Sequence, residues 1–112
     1  MSGRDIRVQI ETLRSVNSTA FNGTYQALGS PLSNPARIIK IVNNSNVLVT
    51  ISDDGVNDKE ILPANSFVLL DFSSDRETGN QFSMAANTQI WVKGAAGGGN
   101  AGLVYLSVYY AG

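Results

Sequence analysis

The sequence predicts an all-β protein: a single-domain antiparallel β-sandwich, jelly-roll-like, with an extended N-terminal segment. Three observations support this fold class. The apolar residues form short runs without a helical period, turn-forming residues separate these runs at frequent intervals, and charged residues make up only 15% of the chain. Short strands with frequent turns are typical of sandwiches and barrels. At 112 residues, the chain has the size of one domain and is long enough to form a core without disulfides.

The first strand is predicted from a strict alternation. Ile6, Val8 and Ile10 are separated by polar residues, which is a period of two and indicates a strand with one buried face. The many charges around this strand suggest that it lies at a sheet edge or contacts a neighbour. We therefore expect an N-terminal arm at residues 1–16 and a β-sandwich domain at residues 17–112.

A β-hairpin is predicted in the middle of the chain. Residues 36–43 and 47–53 are rich in β-branched side chains, and the short linker Asn44-Ser45-Asn46 joins them. Asn tolerates the positive φ that tight hairpin turns require. Before this hairpin, residues 19–29 favour a strand, and residues 30–35 contain two prolines and read as a loop.

The C-terminal half contains the remaining strands. They are predicted at residues 60–62, 66–72, 81–84, 89–93 and 103–110. The continuous apolar run in residues 66–72 predicts a buried strand. In the last strand, the aliphatic side chains share one face, and Tyr105 and Tyr109 share the other. Trp91 and Tyr105 are expected in the core, and a Tyr-bearing face suits a protein interface or, as the alternative, a sugar platform.

The composition argues against several classes of function. The chain contains no Cys and no His, so disulfides, thiolate chemistry, Cys/His zinc sites and the usual base at neutral pH are excluded. The net charge of −1 provides no basic patch for nucleic acid, and no apolar run is long enough to cross a membrane. We predict no catalytic, cofactor-binding or metal-binding residue, and we predict that the protein is not an enzyme.

Two acidic segments are candidate sites. Residues 53–58 combine Asp, Asn and Gly and could hold calcium, but the same residue types form turns, and the turn is favoured. Asp71, Asp75 and Glu77 could act as paired glycosidase carboxylates, but a solvated loop is favoured. The glycine-rich residues 94–102 lack the ending of a phosphate loop and are expected to be a strand connection.

A family resemblance covers most of the chain from Asn17 onward. Its sequence stretches are NSTAFNGTYQALGSPL (17–32), ARIIKIVNN (36–44), VTISDDG (49–55), LPA (62–64), WVKG (91–94) and GLVYLSVYY (102–110). Together they resemble small virion structural proteins of tailed bacteriophages. The resemblance implies a β-sandwich or jelly-roll module that decorates the capsid or belongs to the neck or tail, and it implies no active-site residues.

The resulting functional prediction is a capsid decoration (cement) protein that bridges capsid subunits. Its partners would be the major capsid protein or other virion proteins, with a dimer or trimer of the chain itself, in a virion assembled in the bacterial cytoplasm. The alternatives are a neck or tail component and a carbohydrate-binding or host-adhesion module. The predicted interface residues are Arg4, Ile6, Val8, Ile10, Tyr105 and Tyr109.

Overall fold

Two antiparallel β-sheets form the protein in the computed structural model, which describes residues 8–71 and 84–111. The strands are β1 (Val8–Ile10), β2 (Arg14–Asn17), β3 (Gln26–Ala27), β4 (Ala36–Ser45), β5 (Val49–Ser52), β6 (Glu60–Leu62), β7 (Ser66–Asp71), β8 (Trp91–Gly94) and β9 (Gly102–Ala111). A single 3-10 turn, Ser18–Ala20, follows β2. The described residues contain no helix long and apolar enough to cross a membrane.

The strand order is that of a jelly roll. One sheet, here called the β9 sheet, has the order β1-β9-β4-β7, and β2 also pairs with β9. The other, the β8 sheet, has the order β3-β8-β5-β6. Strands β2 to β9 therefore form the orders β2-β9-β4-β7 and β3-β8-β5-β6, the two sheets of an eight-stranded jelly roll. The predicted fold class is confirmed.

The predicted hairpin in the middle of the chain is wrong. Its two strands, β4 and β5, lie in different sheets, because the chain turns a corner after β4. The fully buried side-chain amide of Asn43 directs this corner by donating hydrogen bonds to the carbonyl oxygens of Val47 (2.8 Å), Leu62 (3.1 Å) and Pro63 (3.0 Å). These acceptors belong to the crossings from β4 to β5 and from β6 to β7, so one side chain ties both corners together.

The N-terminal strands run along β9 as one interrupted edge strand. β1 pairs with Tyr109–Ala111 and β2 with Leu103–Leu106, and between them the Glu11 amide donates to the Val108 carbonyl at 2.9 Å. Residues 8–16 of the predicted arm thus lie against the sandwich. That residues 1–16 act as a separate unit stays a prediction.

The core lies between the two sheets. Its buried apolar residues are Phe21, Leu28, Leu32, Ala36, Ile39, Ile41, Val49, Ile51, Leu62, Ile90, Val92, Val104, Leu106 and Val108. The aliphatic residues Val104, Leu106 and Val108 share one face of β9, as predicted, and this face is buried. Trp91 and Tyr105 were expected in the core but are only half-buried, because alternate side chains of β8 and β9 point to the outer faces of the sheets.

Strand β7 differs from its prediction in burial. The apolar run predicted a fully buried strand, but Phe67 is 63% exposed and Leu69 is 51% exposed, because only one face of the β9 sheet meets the core. The next predicted strand, residues 81–84, falls mostly outside the described residues. Met84 is described and forms an isolated bridge with Ala36.

Candidate interaction surface

On the outside of the β9 sheet, three rows of side chains reach from β7 across β4 to β9 and point away from the core. Directly opposed residues of antiparallel strands project to the same face, so the pairing register defines each row. The rows are Phe67–Val42–Tyr105–Ser15, Leu69–Lys40–Ser107 and Asp71–Ile38–Tyr109–Ile10. Most of these side chains are apolar or aromatic. This set, with Val8, is called the outer face below.

Four of the six predicted interface residues lie on the outer face. Ile10 is opposite Tyr109, Val8 is opposite Ala111 on the same side of the strand, and Tyr105 lies in the first row. Val8 and Ile10 are 63% and 64% exposed, so the prediction that their alternation marks a buried face is wrong for the isolated chain. The other two predicted residues, Arg4 and Ile6, lie outside the described residues.

The contributions of β4 and β7 to the outer face are not evident from their sequences. Ile38 and Val42 come from a strand that is apolar on both sides, so its sequence does not show an outward face. Phe67 and Leu69 lie in the continuous apolar run of β7, which likewise does not show which side chains point outward. Lys40 is the cation of the face, and its Nζ lies 5.5 Å from the centre of the Phe67 ring.

This combination has the composition of a protein-contact surface. The centres of interfaces are enriched in aromatic and apolar side chains and depleted in charge, with polar residues at the rim. Contiguous exposed apolar residues on one sheet face are less common than scattered ones and mark interaction sites. The outer face can therefore bind another protein surface without any chemical step.

A buried ion pair holds the N-terminal edge of this sheet in place. The Arg14 guanidinium donates to a Glu11 carboxylate oxygen at 2.8 Å, and the two side chains are only 7% and 5% exposed. Arg14 also donates to the carbonyl oxygens of Ser30 and Pro31, both at 2.8 Å. These bonds connect the interrupted edge strand to the loop between β3 and β4.

Glu11 completes this connection from the other side. Its carboxylate accepts hydrogen bonds from the backbone amide (2.8 Å) and the side-chain amide (3.0 Å) of Asn34 and from the Ser33 amide (3.3 Å). Burial alone would raise the pKa of Glu11, but the hydrogen bonds from Asn34, Arg14 and Ser33 outweigh it, so the pKa lies below its usual value. The carboxylate stays ionised, and its role is structural.

The acidic turn at residues 53–58 directs its carboxylates to local donors. Asp54 accepts hydrogen bonds from the backbone amides of Val56 (2.8 Å) and Asn57 (2.9 Å) and from the Ser52 hydroxyl (2.7 Å). These are the contacts of an Asx-type turn. Among the described residues, no group of three potential metal-ligating side chains occurs. Asp75 and Glu77, of the other acidic segment, lie outside the described residues.

A second aromatic cluster lies on the β8 sheet and is engaged by its own chain. Lys93 is bonded to Asp58 at 3.0 Å, its Nζ lies 4.7 Å above the Tyr25 ring, and the Tyr25 hydroxyl donates to Asp58. Gly55 (φ +74°) packs against the Trp91 indole, where an added Cβ would lie 3.0 Å from a ring carbon. One face of each ring is therefore in contact with the protein itself.

Comparison with known proteins leaves the family open. No protein-family model and no curated protein matches the sequence. Among solved structures, the chain is similar to one described as "Cyanophage Pam1 capsid asymmetric unit", at 12% sequence identity and a TM-score of 0.46. The match covers 99% of this chain and 89% of that one. A similarity at this level does not establish a shared family or role.

Proposed function

We propose that the protein is a non-enzymatic structural protein of a tailed-phage virion, and that it acts as a capsid decoration (cement) protein. In this proposal the outer face of the β9 sheet binds capsid subunits and bridges them. The observation that carries the proposal is the set of solvent-exposed apolar side chains on that face. Val8, Ile10, Phe67 and Leu69 are each between 51% and 64% exposed there.

The energetics of this face favour binding to a lattice over binding to a single site. Full burial of one such side chain is worth about 1.5–3 kcal/mol, so covering the exposed part of four contributes a few kcal/mol. Association itself costs roughly 4–15 kcal/mol in lost freedom. A second, separate contact with a neighbouring subunit would be intramolecular once the first had formed, so it would add its burial at a smaller cost in freedom. Bridging requires this arrangement.

Fold and sequence pattern support the same role by analogy. Jelly rolls occur in viral capsid proteins and in lectins, so the fold alone leaves the function undecided. The sequence resemblance to small phage virion proteins favours the first group. The proposed partners are therefore the major capsid protein or other virion proteins.

Electron microscopy of purified virions of the phage that carries the gene tests the location. With an antibody against the protein, we expect label on the faces of the head. Label at the neck or tail would replace decoration by the neck or tail role, and particles without label would refute a virion role. Binding to a glycan array or turnover in a hydrolase screen would support an adhesion module or an enzyme instead.

A pair of matched variants tests the surface. Ile10→Ser removes an apolar side chain from the outer face, and Ile61→Ser removes one of similar exposure (60% against 64%) from the β8 sheet. We expect only Ile10→Ser to weaken binding to particles that lack the protein. Equal binding by both variants would refute the outer face as the docking surface. Removal of residues 1–7, which include Arg4 and Ile6, tests the N-terminal part of the predicted interface.

A further inference from the structure

The β9 sheet ends in two edges of different character. On one side, the edge formed by β1 and β2 is interrupted at residues 12–13 and tied down by the Glu11–Arg14 pair. On the other side, β7 pairs with β4 without a break, from Ile38 opposite Asp71 to Asn43 opposite Ser66. In the described part of the chain, no strand pairs with the far side of β7.

Strand β7 has few of the devices that usually protect a sheet edge. Natural edge strands are kept from pairing by charged residues, Pro, bulges or short length. β7 has no Pro and no bulge in its register, and its one charged residue, Asp71, is the last of the strand. The edges of the β8 sheet differ, because β3 has two residues and β6 has three, including Glu60. Of the sheet edges formed by the described residues, β7 is therefore the best suited to pair with another strand.

We propose that β7 pairs with the β7 strand of a second copy of this chain. The two strands would run antiparallel about a twofold axis, with Val68 opposite Val68 of the other copy, and the two β9 sheets would form one continuous sheet. A twofold contact of this kind uses the same surface on both copies. This inference goes beyond the proposed function and does not depend on it.

The side chains of β7 are self-complementary in this register. Phe67 of each copy lies opposite Leu69 of the other, so the two most exposed apolar side chains of the strand cover each other twice. The register shifted by one step, with Leu69 opposite Leu69, would place Phe67 opposite the Asp71 carboxylate. The pattern of β7 therefore favours the Val68-centred register.

Charge does not oppose this pairing. In the joined sheet, the rows of the outer face continue from one copy into the other. Val42 and Phe67 of one copy are followed by Leu69 and Lys40 of the second copy. The two Lys40 residues lie three strand spacings apart across the sheet, about 14 Å at roughly 4.8 Å per strand, and the distance between them is larger still because they lie in different rows. This separation exceeds the Debye length of about 8 Å at physiological ionic strength. The repulsion between them is thus largely screened.

Sedimentation equilibrium with matched variants tests the proposal. The contact is small, so we expect a weak dimer in the range of about 10 μM to about 1 mM. Leu69→Lys places a charge opposite Phe67 and should weaken dimerisation by about tenfold or more. Ile61→Lys, on β6, changes a side chain of similar exposure and should leave dimerisation unchanged. A wild-type chain that is monomeric throughout, or a Leu69→Lys chain that dimerises like wild type, would overturn the proposal.

A crosslinking experiment tests the register and does not depend on the charged variant folding. The chain has no Cys, so introduced cysteines are the only thiols. In the proposed register, residues 67 and 69 of different copies are directly opposed, about 4.5–5.5 Å apart at Cβ, whereas two copies of residue 67 are diagonal and too distant for a disulfide. A mixture of Phe67→Cys and Leu69→Cys chains should form the mixed disulfide. Homodisulfides that form equally readily would refute this register.

Discussion

Replacement of Arg14 by alanine should destabilise the fold by about 3–5 kcal/mol, the usual cost of removing one partner from a buried ion pair. The Glu11 side chain, which is 5% exposed, would remain buried without its cation. The carbonyl oxygens of Ser30 and Pro31 would also lose their donors. The hydrogen bonds from Asn34 and Ser33 to Glu11 would remain, so we expect the lower part of this range. Against a typical stability of about 5–15 kcal/mol, even that loss is large.

The loss should depend on pH, and its direction follows from the pKa of Glu11. In the wild type this pKa lies below its usual value of 4.5, so the stability that the carboxylate contributes is complete above pH 4.5 and is lost as the pH falls through the folded-state pKa. In Arg14→Ala, burial favours the protonated form. The difference in unfolding free energy between wild type and variant should therefore be largest at pH 7 and shrink toward pH 3.

Urea unfolding at both pH values, followed by the fluorescence of the single tryptophan, measures these differences. Lys59→Ala is the matched control, because Lys59 lies 2.9 Å from Asp53 but both side chains are about half exposed, at 50% and 48%. Exposed pairs contribute little, so the control should match wild type. If Arg14→Ala cost no more than this control, or the same at both pH values, the ion pair would not be what holds the edge strand.

Three further changes test the corners and turns. Asn43→Ala removes the side-chain amide that donates to the carbonyl oxygens of Val47, Leu62 and Pro63, and it should lower the unfolding free energy in urea by about 1–3 kcal/mol. Gly29→Ala combines a positive φ (+72°) with a Cβ 2.6 Å from the Arg14 side chain and should lower the melting temperature, whereas Gly98→Ala, with nothing within 4 Å, should not. Burial and a hydrogen bond to Asp58 raise the pKa of Tyr25 to about 12, so absorbance titration should show an ionisation at this high pH that Tyr25→Phe lacks. Stability should fall as the pH rises above 10 and less steeply in Tyr25→Phe.

The fold class was predictable because strand periods and turn residues are local properties. The aliphatic face of β9 was identified correctly, since Val104, Leu106 and Val108 are all buried. The β4–β5 corner could not be predicted from the sequence, because an Asn-rich linker between two β-branched runs has the same local composition in a hairpin and in a sheet crossing. What decides between them is Asn43, whose partners include residues 19 and 20 positions away in the sequence. No local pattern contains that information.

Part of the interaction surface was predictable for a similar reason. Alternation in β1 and the Tyr parity of β9 each indicated a face, and the register brings Ile10 and Tyr109 together. Phe67 and Leu69 were missed because an apolar run without alternation does not show which side meets the core. That distinction depends on which face of the sheet the other sheet covers, and this is a property of the topology.

The orientation of β1 separates a contact strand from a core strand. Its apolar residues, Val8 and Ile10, point away from the core, and polar Gln9 has the opposite parity and accepts a hydrogen bond from Tyr110 at 3.0 Å. An apolar alternation with this orientation adds nothing to the core that the described residues form, which is why we propose that another protein covers it. The two proposed contacts therefore use different parts of the β9 sheet, because Ile10 on β1 and strand β7 lie at opposite edges of that sheet. If Ile10→Ser weakened self-association as strongly as Leu69→Lys, the copies would meet through the outer face and not through the β7 edge.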